Sequence, residues 1–218
     1  MAYLAPAMAE LAQVDRNTVK LRFFEILKGK CADFVVNDSN RAIVSTIFNW
    51  CLRDTEGELD PAKGLWFYGN IGTGKSTLMK AVLSFIEKCW LRDSGEPIKP
   101  SWENVPIFCG RYAEKGFAAF DNIPTGLDEL GSEVAPTNHI GNKLNVMAYV
   151  IGDMTERPIY IPRIVTTNLS FSEIEKRYGS RAVDRIGVLF NLVEMQGSSW
   201  RNDSDKIWEI IESENAGA

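Results

Sequence analysis

Apolar residues in this chain recur in two patterns, helical spacing and short unbroken runs, and the order in which the patterns alternate predicts the architecture. Helical spacing comes first, in a segment around Thr18 to Leu27. A second helix is expected from Asp38 to Leu52, with Ile43, Ile47, Trp50 and Cys51 along one stripe and Asp38 or Ser39 placed to cap its start. The polar stretch Arg53 to Pro61 ends that helix and leads into Gly64 to Tyr68, an apolar run with the length of a buried strand. Leu78, Val82, Phe85, Ile86 and Cys89 then return to helical spacing. Asp93 to Pro100 reads as a connection, and Val105 to Cys109 as a second strand, at an edge because of Pro106. Asn142 to Glu156 reads as a helix with Leu144, Met147, Ala148, Ile151 and Met154 on one face and a stop at Arg157-Pro158. Ile164 to Thr167 is a β-branched strand, and Ser170-Phe-Ser-Glu173 has the capping-box spacing that opens a helix to about Tyr178. Lys206 to Glu214 reads as a short final helix. Strands alternating with helices predict an α/β fold with a parallel sheet covered by helices on both faces.

At 218 residues, 45% of them hydrophobic, the chain suits one α/β domain with a small extension. Residues 1–59 form a helical preface rather than a second globular unit, 60–205 the main domain, and 206–218 a short C-terminal helix and tail. The net charge of −5 weighs against a protein that grips nucleic acid through a broad basic face, and leaves open a local patch or the inner channel of an oligomer. Cysteines 31, 51, 89 and 109 lack short paired spacings and accompanying histidines, so they read as core residues of a reducing compartment. The start has no basic leader, and no segment approaches the roughly 18 consecutive apolar residues of a membrane span. The expectation is a cytoplasmic protein that does not engage a membrane.

The chemistry enters at the end of the first strand. Gly69-Asn70-Ile71-Gly72-Thr73-Gly74-Lys75-Ser76-Thr77 fits G-x-x-x-x-G-K-[ST], whose glycines let the backbone curl so that successive N–H groups face phosphate oxygens. Lys75 supplies an ammonium for the outer phosphates, and the Ser76 hydroxyl is placed to ligate Mg2+ at the positive end of the helix it opens. A strand before the loop and an amphipathic helix after it are the context this motif requires.

Such a loop needs an acidic partner, one carboxylate for the metal and a neighbour that orients or deprotonates the attacking water. Two places compete. Phe117-Ala-Ala-Phe-Asp121-Asn122 has the apolar lead-in, yet Ala113, Phe117 and Phe120 are spaced as a helix face and Asn122 cannot accept a proton. Asp128-Glu129 supplies both carboxylates, although its lead-in Ile123-Pro-Thr-Gly126 is poor for a strand. Chemistry favours the second. The lone histidine, His139, has no partners for a triad or a metal cluster and reads as a loop residue.

With these residues assembled, the chain resembles the bacterial replicative-helicase loaders of the DnaC type within the AAA+ ATPases, and more closely the loader-like ATPases of Bacteroidetes and their mobile elements. The resemblance rests on Asp60 to Ser76, Asp128 to Glu133, Ile140 to Met147, Thr166-Thr-Asn168, and Tyr178 to Arg185 with Phe190-Asn191. It implies a P-loop NTPase fold of the AAA+ type, with a short N-terminal helical extension and an abbreviated C-terminal lid. It also implies ATP and Mg2+ as ligands. Asn168 stands where the family has its sensor-1 residue beside the catalytic Glu129. Arg185 stands at the arginine finger that reaches into a neighbour's site, with Arg181 as its helical neighbour, and Arg201 at the sensor-2 arginine. Expected partners are further copies of the chain, a replicative helicase and single-stranded DNA. A transposition-type ATPase and a nucleotide-gated binding switch with little hydrolysis are the alternative readings.

Overall fold

Leu65, Trp66 and Phe67 are all fully buried, which requires their strand, β1 (Gly64–Gly69), to be covered on both faces. Each such side chain contributes about 1.5–3 kcal/mol of burial. The computed structural model describes residues 15–30, 36–38, 40–92, 94–155 and 162–197. The predicted helix at 206–214, the stop at Arg157-Pro158 and Cys31 lie outside them. In chain order the other elements are α1 (Arg16–Lys30), α2 (Arg41–Cys51), α3 (Lys75–Cys89), β2 (Trp102–Asn104), α4 (Val105–Lys115), a 3-10 helix (Gly116–Asn122), β3 (Gly126–Leu130), β4 (Thr137–His139), β5 (Asn142–Leu144), α5 (Val146–Met154), β6 (Ile164–Thr167), α6 (Phe171–Tyr178), α7 (Ser180–Leu189) and β7 (Phe190–Met195).

The main sheet is five-stranded and parallel, in the order β2-β3-β6-β1-β7. Alternation along β1 sends Leu65 and Phe67 into a core with α1, α2 and α3, and Trp66 into a second core with α4, α5, α6 and α7. The N-terminal helices pack directly on the nucleotide-loop helix: Phe23 of α1 lies 5.6 Å from Phe48 and 5.7 Å from Phe85, centroid to centroid. The α6 capping box forms as read, with Ser170 Oγ accepting from the Glu173 N–H and the Glu173 carboxylate accepting from the Ser170 N–H. Among the described residues no helix is long and apolar enough to cross a membrane.

Several sequence expectations are corrected. Val105 to Cys109 opens helix α4 rather than forming a strand. Pro106 occupies the first helical turn, where a missing N–H costs nothing, and Val105, Phe108, Cys109 and Tyr112 bury one helical face. The strand here is the three residues before it. Asn142 to Leu144 belongs to a hairpin with β4, and helix α5 begins only at Val146, after Asn145 caps it by accepting from the Ala148 N–H at 3.2 Å. His139 is therefore in a strand, not a loop; its Nδ1 lies 2.9 Å from the Ala113 carbonyl. Helix α2 has Asn40 at its N-cap position in place of Asp38 or Ser39, and the Asn40 side chain accepts from the Asn37 N–H at 2.9 Å. Cys51, Cys89 and Cys109 are free thiols, and burial pushes the Cys109 thiol up to about 12.

Candidate functional site

At the C-terminal end of β1 the chain turns through Gly69, Gly72 and Gly74 at φ 125°, 83° and 92°, conformations that side-chain-bearing residues rarely adopt, and enters α3 at Lys75. Asn70 and Ile71 are exposed on the loop, while Thr73 is buried and donates to the Asn70 carbonyl at 2.9 Å. Lys75 folds over the loop and donates to the carbonyls of Gly69 and Asn70. Burial lowers its ammonium to about 8, with nearby Asp128 pulling it partly back up. Thr77 is half-buried in the first turn of α3.

The acid comes from β3. Ser76 Oγ donates to Asp128 Oδ1 at 2.7 Å, so two residues far apart in sequence meet at the C-terminal end of the interior strands β1 and β3. Asp121 is exposed on the 3-10 helix ahead of β3. The lead-in that looked too poor for a strand has a packing reason: a Cβ at Gly126 would sit 2.7 Å from Leu83 Cδ1 and 2.9 Å from Trp102 Cβ, so only glycine lets β3 approach α3 and β2.

Between Leu127 and Leu130 the register against β6 slips, and Glu129 takes φ 61°. This is a bulge at the acidic pair, a device that re-aims a side chain. Thr166 of β6 closes it. Its hydroxyl accepts from the Glu129 N–H at 2.9 Å and donates to Asp128 Oδ1 at 2.6 Å. Glu129 Oε2 accepts from Asn104 Nδ2 at 2.9 Å, and Lys80 Nζ lies 3.7 Å from Asp128 Oδ2 and 4.1 Å above the Trp102 ring. Ser76, Lys80, Asn104, Asp128 and Glu129 wall a cavity of about 470 Å3.

The remaining predicted residues lie around this centre. Asn168 is exposed immediately after β6. Arg185 is not on the cavity's walls; it lies on α7 in a groove with Tyr149, Gly152 and Asp153, its Nη1 so close that a Cβ on Gly152 would be 2.6 Å away. Arg181 is exposed in the first turn of α7. Arg201 lies outside the described residues. Sequence reasoning gave no role to Thr166, Asn104 or Lys80. Two threonines in a short buried strand, Thr166 and Thr167, were the available signal for Thr166, while Asn104 was hidden by reading the following residues as the strand.

No protein-family model and no curated protein matches the chain. Solved structures do. The DnaC helicase loader superposes with a TM-score of 0.54 at 21% identity, covering 80% of this chain and 99% of that one. A protein described as a primosome component, from Streptococcus pyogenes serotype M3, gives 0.52 at 22%, covering 78% and 86%. AMPPCP-bound DnaA from Aquifex aeolicus gives 0.50 at 16%, covering 85% of this chain and 53% of that one, so the chain spans about half of DnaA. At these identities the likeness is one of fold alone: a parallel sheet flanked by helices.

Proposed function

We propose that this chain is an ATP-binding and ATP-hydrolysing assembly factor of the helicase-loader kind, whose nucleotide state controls self-association in the cytoplasm. The observation that carries this is the 2.7 Å bond joining Ser76 of the phosphate loop to Asp128 of β3, beside a lysine buried at the same loop. A hydroxyl and a carboxylate are hard oxygen donors suited to Mg2+. An ion held there would take phosphate oxygens of the nucleotide as further ligands. When bound, Mg2+ neutralises phosphate charge.

The chain's own groups supply the rest. Residues 69–77 bind and orient the triphosphate. Glu129 accepts the proton of a water that attacks the γ-phosphorus as the bond to ADP breaks, and Asn168 helps orient that water. Arg185, away from its own protomer's cavity, completes the site of a second copy, and Arg201 contacts the γ-phosphate. The fold shared with DnaC and DnaA supports a replicative helicase and single-stranded DNA as partners.

A second reading has its own support. Glu129 is held by Asn104 and strained at φ 61°, which favours a nucleotide-gated binding switch with little turnover. ATP hydrolysis followed against protein concentration, with and without single-stranded DNA, separates the two. The assembly reading expects activity that rises steeply with concentration and is lost in Glu129→Gln and Arg185→Ala, with ATP binding retained. Tight ATP binding without turnover at any concentration selects the switch.

A further inference from the structure

Glu133 has no part in the nucleotide chemistry above, yet it is among the most elaborately held carboxylates in the molecule. Only 2% of its side chain is exposed. Oε1 accepts from the Tyr178 hydroxyl at 2.6 Å and from Arg177 Nε at 3.3 Å, and Oε2 accepts from the Gly131 N–H at 2.8 Å. The Glu133 carbonyl accepts from Arg177 Nη2 as well. Arg177 is tied in turn to α5, its carbonyl accepting from Asn145 Nδ2 at 2.8 Å. A buried ion pair contributes little net stability compared with apolar packing, but a fully satisfied polar knot specifies one arrangement of the elements it joins.

Those elements are the exit of the acidic strand and the end of α6. Gly179 alone, at φ 87°, separates Tyr178 from α7, and it serves both as the C-cap of α6 and as the N-cap of α7. A joint of one residue makes the direction of α7 follow the end of α6. Ala182 and Ile186 of α7 are buried, with Val183 and Leu189 packed partly buried against the same core, so one apolar stripe seats the helix and the joint sets where that stripe begins. Arg181 is exposed in its first turn, and Arg185 sits in its second, half-buried against Gly152 of α5.

We propose that the knot of Glu133 with Arg177 and Tyr178 is the positioning device that presents the α7 arginines to a second copy, so that Tyr178 and Glu133 govern a neighbour's turnover and not their own protomer's. This rests on the assembly reading and deepens it. A purely structural knot would harm whichever subunit lost it, whereas a positioning knot matters only in the subunit that lends the arginine.

Mixed assemblies of full-length chain separate these cases. Glu129→Gln has a dead site and an intact arginine; Arg185→Ala has the reverse. Mixing them restores turnover at the Arg185→Ala sites. Adding Tyr178→Phe to the Glu129→Gln partner is expected to cut that turnover roughly ten- to a hundredfold, the cost of misplacing a catalytic group by about 1 Å. Adding it to the Arg185→Ala partner is expected to leave turnover unchanged. Glu133→Gln should reproduce the asymmetry, with ATP affinity and assembly, read by sedimentation, preserved throughout. Equal turnover with either placement, equal losses from both, or a parallel loss of assembly overturns the proposal. If the parent mixture itself yields no turnover, the assembly reading fails first and takes the proposal with it, a result distinct from a working mixture indifferent to Tyr178.

Discussion

Thr166 holds the two candidate acids in one geometry, and its hydroxyl is the smallest group on which the site can be tested. Thr166→Val keeps the shape but leaves the Glu129 N–H unpaired and takes a donor from Asp128. Turnover should fall roughly ten- to a hundredfold with ATP affinity retained, and Thr166→Ser should restore it; a change in affinity alone would contradict this role. Lys75 carries a pH prediction. With the folded value near 8 against the usual 10.5, the unfolded chain holds more protons between these values, so this group makes stability rise with pH across that window. Phosphate returns the proton to Lys75, so ATP affinity should fall as pH climbs through the same window. Lys75→Arg, always charged, should show a flat profile in an ATP titration. The loop, Ser76 and the Asp128-Glu129 pair were legible in the sequence because residue type and spacing carry their chemistry. Thr166 and Asn104 were not, because each matters through a neighbour on another strand.

At the scale of elements, legibility followed how much of the pattern each segment owned. β1, α3, β6 and α6 were read correctly because each carries its own run or period, and the Ser170 box marks the start of α6 to the residue. Ser170→Ala should cost about 1 kcal/mol, seen as a lower denaturant midpoint at unchanged slope. The first turn of α4 misled because five apolar residues around a proline have no period, and the helix declares itself only through Cys109 and Tyr112 downstream. Leu144 misled by lying in phase with α5 while belonging to the hairpin. β3 was discounted for its glycine and proline, although Gly126 is what lets the strand pack. Local composition carried no trace of the side chains that crowd it.

Across the whole molecule, the helices ahead of the phosphate loop and the loop helix share one apolar core. Unfolding should therefore be a single transition by far-ultraviolet dichroism and by tryptophan emission. Phe23→Ala, at a fully buried position, should lower stability by about 3–5 kcal/mol without splitting that transition; a separate early melt of the N-terminal helices would show instead that they fold on their own. Among the described residues the tryptophans are distributed unevenly: Trp50, Trp66 and Trp90 are buried, while Trp102 is 47% exposed at the rim of the candidate cavity beneath Lys80. An indole with an ammonium over its face and water at its edge emits at longer wavelength than its buried counterparts and responds when that ammonium moves. Trp102 is therefore an optical gauge of the site, readable as the difference between the emission of the parent protein and that of Trp102→Phe.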